Sequence, residues 1–236
     1  MEEIMRWEEE VKNLEQMINR YLYLDEWKFK QELNFIGGER VDIDDKGWEI
    51  RKQPINWALK DGDTYLRKWV EVPKEIEGIK IEGSKILLKF VFPSGVTLYL
   101  NGKEVYSHQF WADKIATPFI ITESAKPMDK FLIVFKTKKG DGLGVFWASI
   151  SIENVDELIF QLKSVLYQLK FTNLIVNELK NKKLFEIIKE CIQILDVKFL
   201  ENRDWIKIGE VIENVEKKLE IFRPYAKKFK VHLIGH

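Results

Sequence analysis

A change in the spacing of apolar residues near residue 153 restricts the fold of this chain more than any other sequence feature. Before it, from residue 27 to 152, short β-branched and aromatic runs alternate with turn signals such as Asp61-Gly62 and Asn101-Gly102. Many short strands with turns this frequent are typical of an all-β sandwich or barrel. After residue 153, apolar residues recur every three or four positions, as in amphipathic helices. The sequence therefore predicts an α+β protein whose β-rich region precedes a helical one.

Helical spacing also occurs at the start of the chain and predicts an N-terminal helix over residues 1–24. Its apolar stripe consists of Ile4, Trp7, Val11, Leu14, Ile18 and Tyr21. The β-sandwich then occupies residues 25–152, and residues 153–223 hold about three helices, enough for a small bundle. Asp204 is expected to cap the third of these helices, with Pro224 just beyond its end. Residues 224–236 are interpreted as a new strand.

The clearest local prediction is a β-hairpin at Asn101-Gly102, because this dipeptide readily adopts the two positive φ angles of a type I′ turn. The turn is expected to pair Leu98 with Val105 and Tyr99 with Glu104. Two nearly unbroken apolar runs, 86–92 and 131–135, have the length of strands and are typical of central strands covered on both faces.

Composition excludes some partners and locations. The 38 basic and 38 acidic residues cancel, so a broad basic surface for nucleic acid is not expected. The acidic start lacks the features of a secretory signal, and no apolar run is long enough for a membrane span, which predicts a cytoplasmic protein without membrane contact. The single cysteine, Cys191, lies in an apolar helical run and is expected to be a core residue. The abundance of Lys and Glu fits the surface of a thermophile's protein.

Two sets of residues carry a resemblance to a known family. Trp57, the segment 61–73 (Asp-Gly-Asp-Thr-Tyr-Leu-Arg-Lys-Trp-Val-Glu-Val-Pro), then 97–105 and 117–122 follow one another in an order similar to the galactose-binding-like jelly roll in front of many large glycosidases. These include family 2 β-galactosidases and the bacterial, archaeal and vacuolar type of family 38 α-mannosidases. In family 2 an immunoglobulin-like domain follows the jelly roll, whereas here a helical segment follows.

The residues after that helical segment, Val231-His232-Leu233-Ile234-Gly235-His236, look like the opening of the family 38 catalytic domain, where a strand leads into a His-x-His-x-Asp motif. The chain thus resembles the N-terminal region of a family 38 α-mannosidase that ends where the catalytic domain begins. His236 matches the first His of the motif, which is the neighbour of a zinc ligand. The resemblance therefore assigns no catalytic and no metal-binding residue to this chain.

The resemblance implies a retaining, zinc-dependent parent enzyme that acts on mannose-containing oligosaccharides. Its zinc ion and Asp nucleophile come from the catalytic domain, so this chain is expected to hold no cofactor and to be inactive alone. Its partner is that catalytic domain, which it supports, with contributions to the substrate entrance or to homo-oligomer contacts. A stand-alone carbohydrate-binding module is the alternative function, and a protein-interaction domain is a third.

Sugar binding requires an exposed aromatic face beside polar groups. The loop 107–114 after the Asn101-Gly102 hairpin offers both, and the candidate sugar contacts in it are His108, Gln109, Trp111 and Asp113. Core packing of Trp111 is the competing interpretation, because tryptophan is usually buried in a small sandwich.

Other chemistry-bearing residues have simpler interpretations. The tryptophans Trp48, Trp57, Trp69 and Trp147 are assigned to the core or to interfaces with helices. Asp44-Asp45 and Asp61/Asp63 are interpreted as turn residues. The three histidines, His108, His232 and His236, lack the spacing of a metal site, and Gly140-Asp141-Gly142 is expected to be a hairpin turn rather than a phosphate-binding loop.

Overall fold

The structure, a computed structural model, describes residues 2–32, 34–58, 63–91, 95–108, 118–137 and 143–228, and at 57, 58, 108 and 143–145 it describes the backbone alone. Of the predicted strand 224–236, residues 229–236 lie outside these ranges, as does the Gly140-Asp141-Gly142 turn. The described beginning of that segment is wrong as a strand, because Arg223–Ala226 continues the preceding helical turns as a short helix. The chain divides into two compact units. The β unit contains residues 19–76 and 80–155, and the helical unit contains residues 1–18, 77–79 and those from 156 onward.

The strands are β1 (Glu26–Glu32), β2 (Glu49–Lys52), β3 (Ile55–Ala58), β4 (Asp63–Glu71), β5 (Glu75–Ile76), β6 (Ile79–Lys80), β7 (Ile86–Val91), β8 (Val96–Leu100), β9 (Lys103–His108), β10 (Phe119–Thr122), β11 (Lys130–Thr137) and β12 (Leu143–Ile152). The α-helices are α1 (Glu2–Leu22), α2 (Glu153–Leu179), α3 (Lys182–Ile194), α4 (Val197–Glu201), α5 (Trp205–Leu219) and α6 (Arg223–Ala226), with a 3₁₀ turn at Glu220–Phe222.

Two larger antiparallel sheets form most of the β unit, a six-stranded sheet in the order β2-β1-β4-β11-β8-β9 and a four-stranded sheet in the order β10-β7-β12-β3, and β5 and β6 form a separate two-stranded sheet. Aromatic rings of the two sheets meet edge to face: the centroids of Trp27 and Phe146 are 4.9 Å apart, and those of Phe90 and Phe135 are 4.8 Å apart. Such tilted contacts are favoured by the ring quadrupoles. The predicted α+β class with a β-sandwich is confirmed, while the jelly-roll connectivity stays a prediction.

The Asn101-Gly102 hairpin is confirmed, because β8 and β9 flank it and the two residues have φ angles of 50° and 80°. The predicted pairing of Tyr99 with Glu104 is confirmed, but Leu98 lies opposite Tyr106 rather than Val105. The pairing shifts between Leu98 and Tyr99. This bulge adds one residue to β9, so the side chains of β9 beyond it point to the face of the sheet opposite to the predicted one.

Burial of the two apolar runs differs. All four residues from Leu132 to Phe135 in β11 are buried, as predicted for a strand covered on both faces. In β7 the prediction is wrong, because burial alternates along the strand and Val91 is exposed. The reason is that the connection between β1 and β2 covers the second face of β11, whereas the second face of β7 stays partly open.

The helical unit contains the predicted helices. The N-terminal stripe is buried from Ile4 to Ile18, but Tyr21 is exposed and Leu22 takes its place. The three longer helices after the sandwich, α2, α3 and α5, are accompanied by the shorter α4 and α6. Asp204 caps α5 as predicted, since its carboxylate accepts a hydrogen bond from the Lys207 amide at 3.1 Å.

Cys191 is buried, which confirms its assignment to the core. None of the helices in the described ranges combines the length and apolarity needed to cross a membrane.

Candidate functional site

The most distinctive surface of the β unit is the face of the six-stranded sheet that points away from the other sheet, here called the outer face. Side chains along a strand alternate between the two faces of a sheet, so every second residue of each strand lies on the outer face. One row of residues on this face, paired across neighbouring strands, consists of Lys30, Tyr65, Lys136, Thr97 and Ser107. The connection between β1 and β2, residues 34–48, covers its middle and is called the cover loop. Both ends of the outer face are left open to solvent, and Ser107 at the β9 edge is exposed as well.

A buried arginine holds the cover loop on the sheet. The Arg67 side chain is 1% exposed, and its Nε donates a hydrogen bond to the Asp45 carboxylate at 2.7 Å. Its remaining N–H groups donate to the carbonyl oxygens of Gly38, Arg40 and Val41 at 3.1, 2.7 and 3.3 Å. A planar guanidinium can bond several acceptors at fixed angles, which a lysine cannot do. The loop is thus fixed by one side chain from the middle of the sheet.

Asp45 is the second half of this anchor. Its other carboxylate oxygen accepts a hydrogen bond from the Lys28 ammonium at 2.6 Å. Burial alone would raise the pKa of Asp45, but the hydrogen bonds from Lys28 and Arg67 outweigh it and hold the pKa below its ordinary value. The carboxylate therefore stays charged, as a structural ion-pair partner.

Aromatic packing completes the contact between cover loop and sheet. Phe35 and Trp48 of the loop meet Tyr65 of β4, with ring centroids 5.5 and 6.3 Å from that of Tyr65. Gly38 approaches this ring so closely that a Cβ on residue 38 would lie 2.5 Å from a Tyr65 ring carbon. Glycine is required at position 38 because the backbone contacts the Tyr65 ring directly and leaves no room for a side chain.

One open end of the outer face is polar. The Lys136 ammonium lies 3.0 Å from the Asp63 carboxylate and 5.2 Å from the Tyr65 ring centroid. Burial opposes the charge of Lys136, but its interactions with Tyr65 and Asp63 outweigh burial and raise its pKa above the ordinary value. An ammonium held this firmly can donate hydrogen bonds to hydroxyl or anionic groups but is a poor general base.

A shallow groove of about 370 Å³ lies at the β2 edge of the same sheet and is lined by Phe29, Lys30, Gln31, Gly47, Trp48, Glu49 and Arg51. The Arg51 guanidinium stacks on Phe29 at 3.4 Å and forms two 2.8 Å hydrogen bonds with Glu49. The pKa of Glu49 is lowered by this pairing. Lys30 in turn is paired with Glu32 at 2.8 Å. The charged side chains that line the groove, Lys30, Glu49 and Arg51, are therefore each paired with a group of opposite charge.

The opposite open end presents an aromatic ring. Trp69, near the end of β4, is 46% exposed. Two residues further along the same face, Glu71 forms a 3.0 Å ion pair with Lys130 of the neighbouring strand. An exposed indole beside hydrogen-bonding groups has the composition that sugar rings require. The prediction that Trp69 belongs to the core or to an interface with helices is wrong, because nearly half of its side chain is exposed.

Of the four predicted sugar contacts, the structure describes only the backbone of His108. His108 is the last residue of β9, where its backbone pairs with Val96. Gln109, Trp111 and Asp113 lie outside the described residues. The register nevertheless places His108, Val96 and Thr137 at one end of the sheet, next to the Asp63–Lys136 pair. The candidate loop therefore starts at the polar end of the outer face, and its contact with sugar stays a prediction.

Sequence reasoning missed the anchor of the cover loop. Asp45 is a turn residue as expected, because its carbonyl accepts a hydrogen bond from the Trp48 amide, but its carboxylate also bonds the buried Arg67. Asp44 makes a turn contact with the Lys46 amide. Asp63 was also expected in a turn and instead begins β4. Neither ion-pair partner is visible locally, because Arg67 and Lys136 lie 22 and 73 positions away from Asp45 and Asp63 in the sequence. Trp48 is buried as predicted, and the Trp57 side chain lies outside the described part of the chain.

Metal binding finds no support in the described ranges, where no three His, Cys, Asp or Glu side chains come together. The zinc ion that the resemblance implies belongs to the catalytic domain of the parent enzyme and stays a prediction.

Comparison with known proteins gives similarity over about half of the chain. No protein-family model matches it, and no curated protein matches it. Solved structures that are similar include a glycosyl hydrolase family 2 member from Bacteroides cellulosilyticus, with 20% identity, a TM-score of 0.41, and 55% of this chain and 20% of that chain covered. A β-glycosidase from Bacteroides vulgatus has 16% identity and a TM-score of 0.44, with 56% and 20% covered.

A β-glucuronidase from Faecalibacterium prausnitzii is also similar, with 16% identity and a TM-score of 0.38, and 50% and 20% of the two chains covered. The chain thus spans about a fifth of the length of each of these glycoside hydrolases. Similarity of this degree does not establish a family for the chain.

Proposed function

We propose that this chain is a non-catalytic accessory region of a family 38 α-mannosidase, consisting of a galactose-binding-like jelly roll and a helical unit. In this proposal hydrolysis is carried out by a catalytic domain of the same polypeptide, which supplies the nucleophile and the zinc ion. The accessory region supports that domain. Its substrate class, mannose-containing oligosaccharides, is that of the parent enzyme.

One observation carries the proposal: the last strand of the sandwich continues directly into a helix. β12 ends at Ile152 and α2 begins at Glu153, and the described residues from there to 228 contain helices and no strand. This order agrees with the jelly roll and helical segment of the family 38 resemblance. It disagrees with the family 2 arrangement, in which an immunoglobulin-like β domain comes next.

The charged groups of the β unit support a non-catalytic role. A retaining glycosidase needs one ionised carboxylate and one protonated carboxylic acid about 5–5.5 Å apart. Asp45 and Glu49 are instead paired with basic side chains that lower their pKa values. Carboxylates of this kind stay ionised at neutral pH and cannot serve as the acid.

The test is to read the gene beyond residue 236 and to assay the purified chain. The proposal expects an x-His-x-Asp sequence directly after His236, followed by several hundred codons, and no release of nitrophenol from an aryl α-mannoside. A stop codon after His236 would reject the parent enzyme. Release of mannose by this chain, with contaminating enzyme excluded, would reject its non-catalytic role.

A stand-alone carbohydrate-binding module is the second candidate, and the exposed Trp69 beside the Glu71–Lys130 pair favours it. Titration with mannose and mannobiose, followed by tryptophan fluorescence and calorimetry, distinguishes the two functions. The accessory role expects no saturable signal. Saturable binding that is abolished by Trp69→Ala and kept by Tyr21→Ala, a control at a 58% exposed ring of the β unit, would establish the binding module instead.

A further inference from the structure

Helix α2 has an exposed apolar stripe on the side opposite to its buried one. Phe160, Tyr167 and Leu174 recur at every seventh position and are 71%, 64% and 62% exposed. Phe171, 39% exposed, lies between the last two. Together with Ser164 these residues occupy the two core positions of a heptad repeat, the spacing that helices use when they pair with one another. We call this set the α2 seam.

The α2 seam lies in a part of the helix that carries little charge. Between Leu158 and Asn177 the only charged residues are Lys163 and Lys170, although 32% of the whole chain is charged. Each of these lysines donates a 2.5 Å hydrogen bond to a glutamate of α1, Glu15 and Glu8 respectively. A solvent-facing helix side normally carries charged residues. Two such surfaces can approach each other with little repulsion between like charges.

The exposed area of the seam supplies a large part of a dimer interface. Aromatic side chains bury about 150–250 Å² each when fully covered. At the observed exposures the seam offers on the order of 400 Å² per copy, or about 800 Å² in a symmetric pair, before flanking residues are counted. Specific interfaces bury about 1,200–2,000 Å² in total, and weak ones less. The seam therefore supplies about two thirds of the smallest specific interface, and with the flanking residues we expect weak, concentration-dependent self-association.

The order of large and small residues favours an antiparallel arrangement. With a two-fold axis beside residues 165 and 166, Phe160 comes opposite Phe171 of the second copy. Ser164 then comes opposite Tyr167 of the second copy, so that a small side chain leaves room for a large one. A two-fold interface must be complementary to itself in this way.

We propose that the α2 seam binds the α2 seam of a second copy of this chain in an antiparallel, two-fold symmetric dimer. This interaction goes beyond the accessory role and does not depend on it. A domain of a longer parent polypeptide is the competing occupant of the same surface.

Sedimentation velocity at about 1–100 µM tests the dimer. The unaltered chain is expected to shift from monomer to dimer over this range, and Ser164→Lys and Tyr167→Asp are each expected to weaken dimerisation at least tenfold. Ile206→Asp, at a 77% exposed position of α5 outside the seam, is the matched control and should dimerise normally. Circular dichroism should show unchanged helicity in all variants, since the altered side chains are not part of the buried stripe.

Mixing the two seam variants tests the arrangement. In the antiparallel pair the lysine side chain introduced by Ser164→Lys faces the carboxylate introduced by Tyr167→Asp, so the mixture should recover dimers that neither variant forms alone. A monomeric unaltered chain at 100 µM would overturn the proposal, as would dimers that persist in both seam variants. Failure of the mixture to recover dimers would overturn the antiparallel arrangement, and protection of the seam only in a longer polypeptide would identify the parent's own domain as its occupant.

Discussion

The cover loop takes part in a buried ion pair, Arg67–Asp45, and contains an exposed ion pair. Their contributions to the free energy of unfolding can therefore be compared within the same loop. Asp45→Ala removes the carboxylate and leaves the guanidinium, 1% exposed, with three backbone carbonyls as partners. Breaking a buried pair on one side typically costs about 3–5 kcal/mol. We expect a loss of unfolding free energy near the lower limit, about 3 kcal/mol, because Asp45 is 16% exposed and the carbonyl contacts remain.

Asp42→Ala is the matched control. Asp42 lies three residues earlier in the same loop and forms two hydrogen bonds with Arg40, at 3.0 and 2.6 Å, but its side chain is 69% exposed. Exposed pairs are screened by water and contribute little. The two variants therefore differ mainly in burial.

Urea unfolding followed by tryptophan fluorescence and circular dichroism measures both variants. A loss of about 3 kcal/mol in a protein of this size lowers the melting temperature by about 6–12 °C. Asp45→Ala should show this loss, and Asp42→Ala should unfold like the unaltered chain. Equal effects of the two substitutions, or a loss below about 1 kcal/mol for Asp45→Ala, would refute the argument from burial.

Three further predictions concern other parts of the chain and pH. The pKa of Asp45 is lowered in the folded protein from an ordinary value of 3.8, so the contribution of Asp45 to the free energy of unfolding is present above that value and is lost as pH falls through the lower folded-state pKa. The difference in unfolding free energy between the unaltered chain and Asp45→Ala should therefore be constant from pH 7 to 5 and shrink in acid. A constant difference down to pH 2 would contradict this. Gly102→Ala should lower the free energy of unfolding in urea by about 1 kcal/mol, because the φ of Gly102 is 80°, whereas Gly47→Ala, with no atom within 4 Å of the added Cβ, should leave it unchanged. Equal losses of unfolding free energy in the two variants would show that φ is not the cause. Burial raises the pKa of the Cys191 thiol to about 11, so a maleimide should label it slowly at pH 7 in the native protein and rapidly in urea, and rapid native labelling would show that the α3 core is open.

Features that depend on neighbouring residues in the sequence could be predicted without the structure. The turn at Asn101-Gly102, the cap at Asp204 and the burial of Cys191 each follow from local chemistry or from helical periodicity. The same periodicity located the change from strands to helices. The candidate sugar contacts rest on the composition of the loop and on its position after the Asn101-Gly102 hairpin, and only the backbone of His108 among them can be placed.

The sequence by itself determined the α+β class and the order of sheet and helices, because the repeat of apolar residues follows the local geometry of each element. Only the tertiary structure decided that the Asp45 carboxylate bonds a buried arginine and that Trp69 is exposed. It also decided that a bulge pairs Leu98 with Tyr106 rather than with Val105. These outcomes depend on which distant strand or loop lies across each residue. Local periodicity carries no information about such neighbours, since they are set by the packing of the whole sheet.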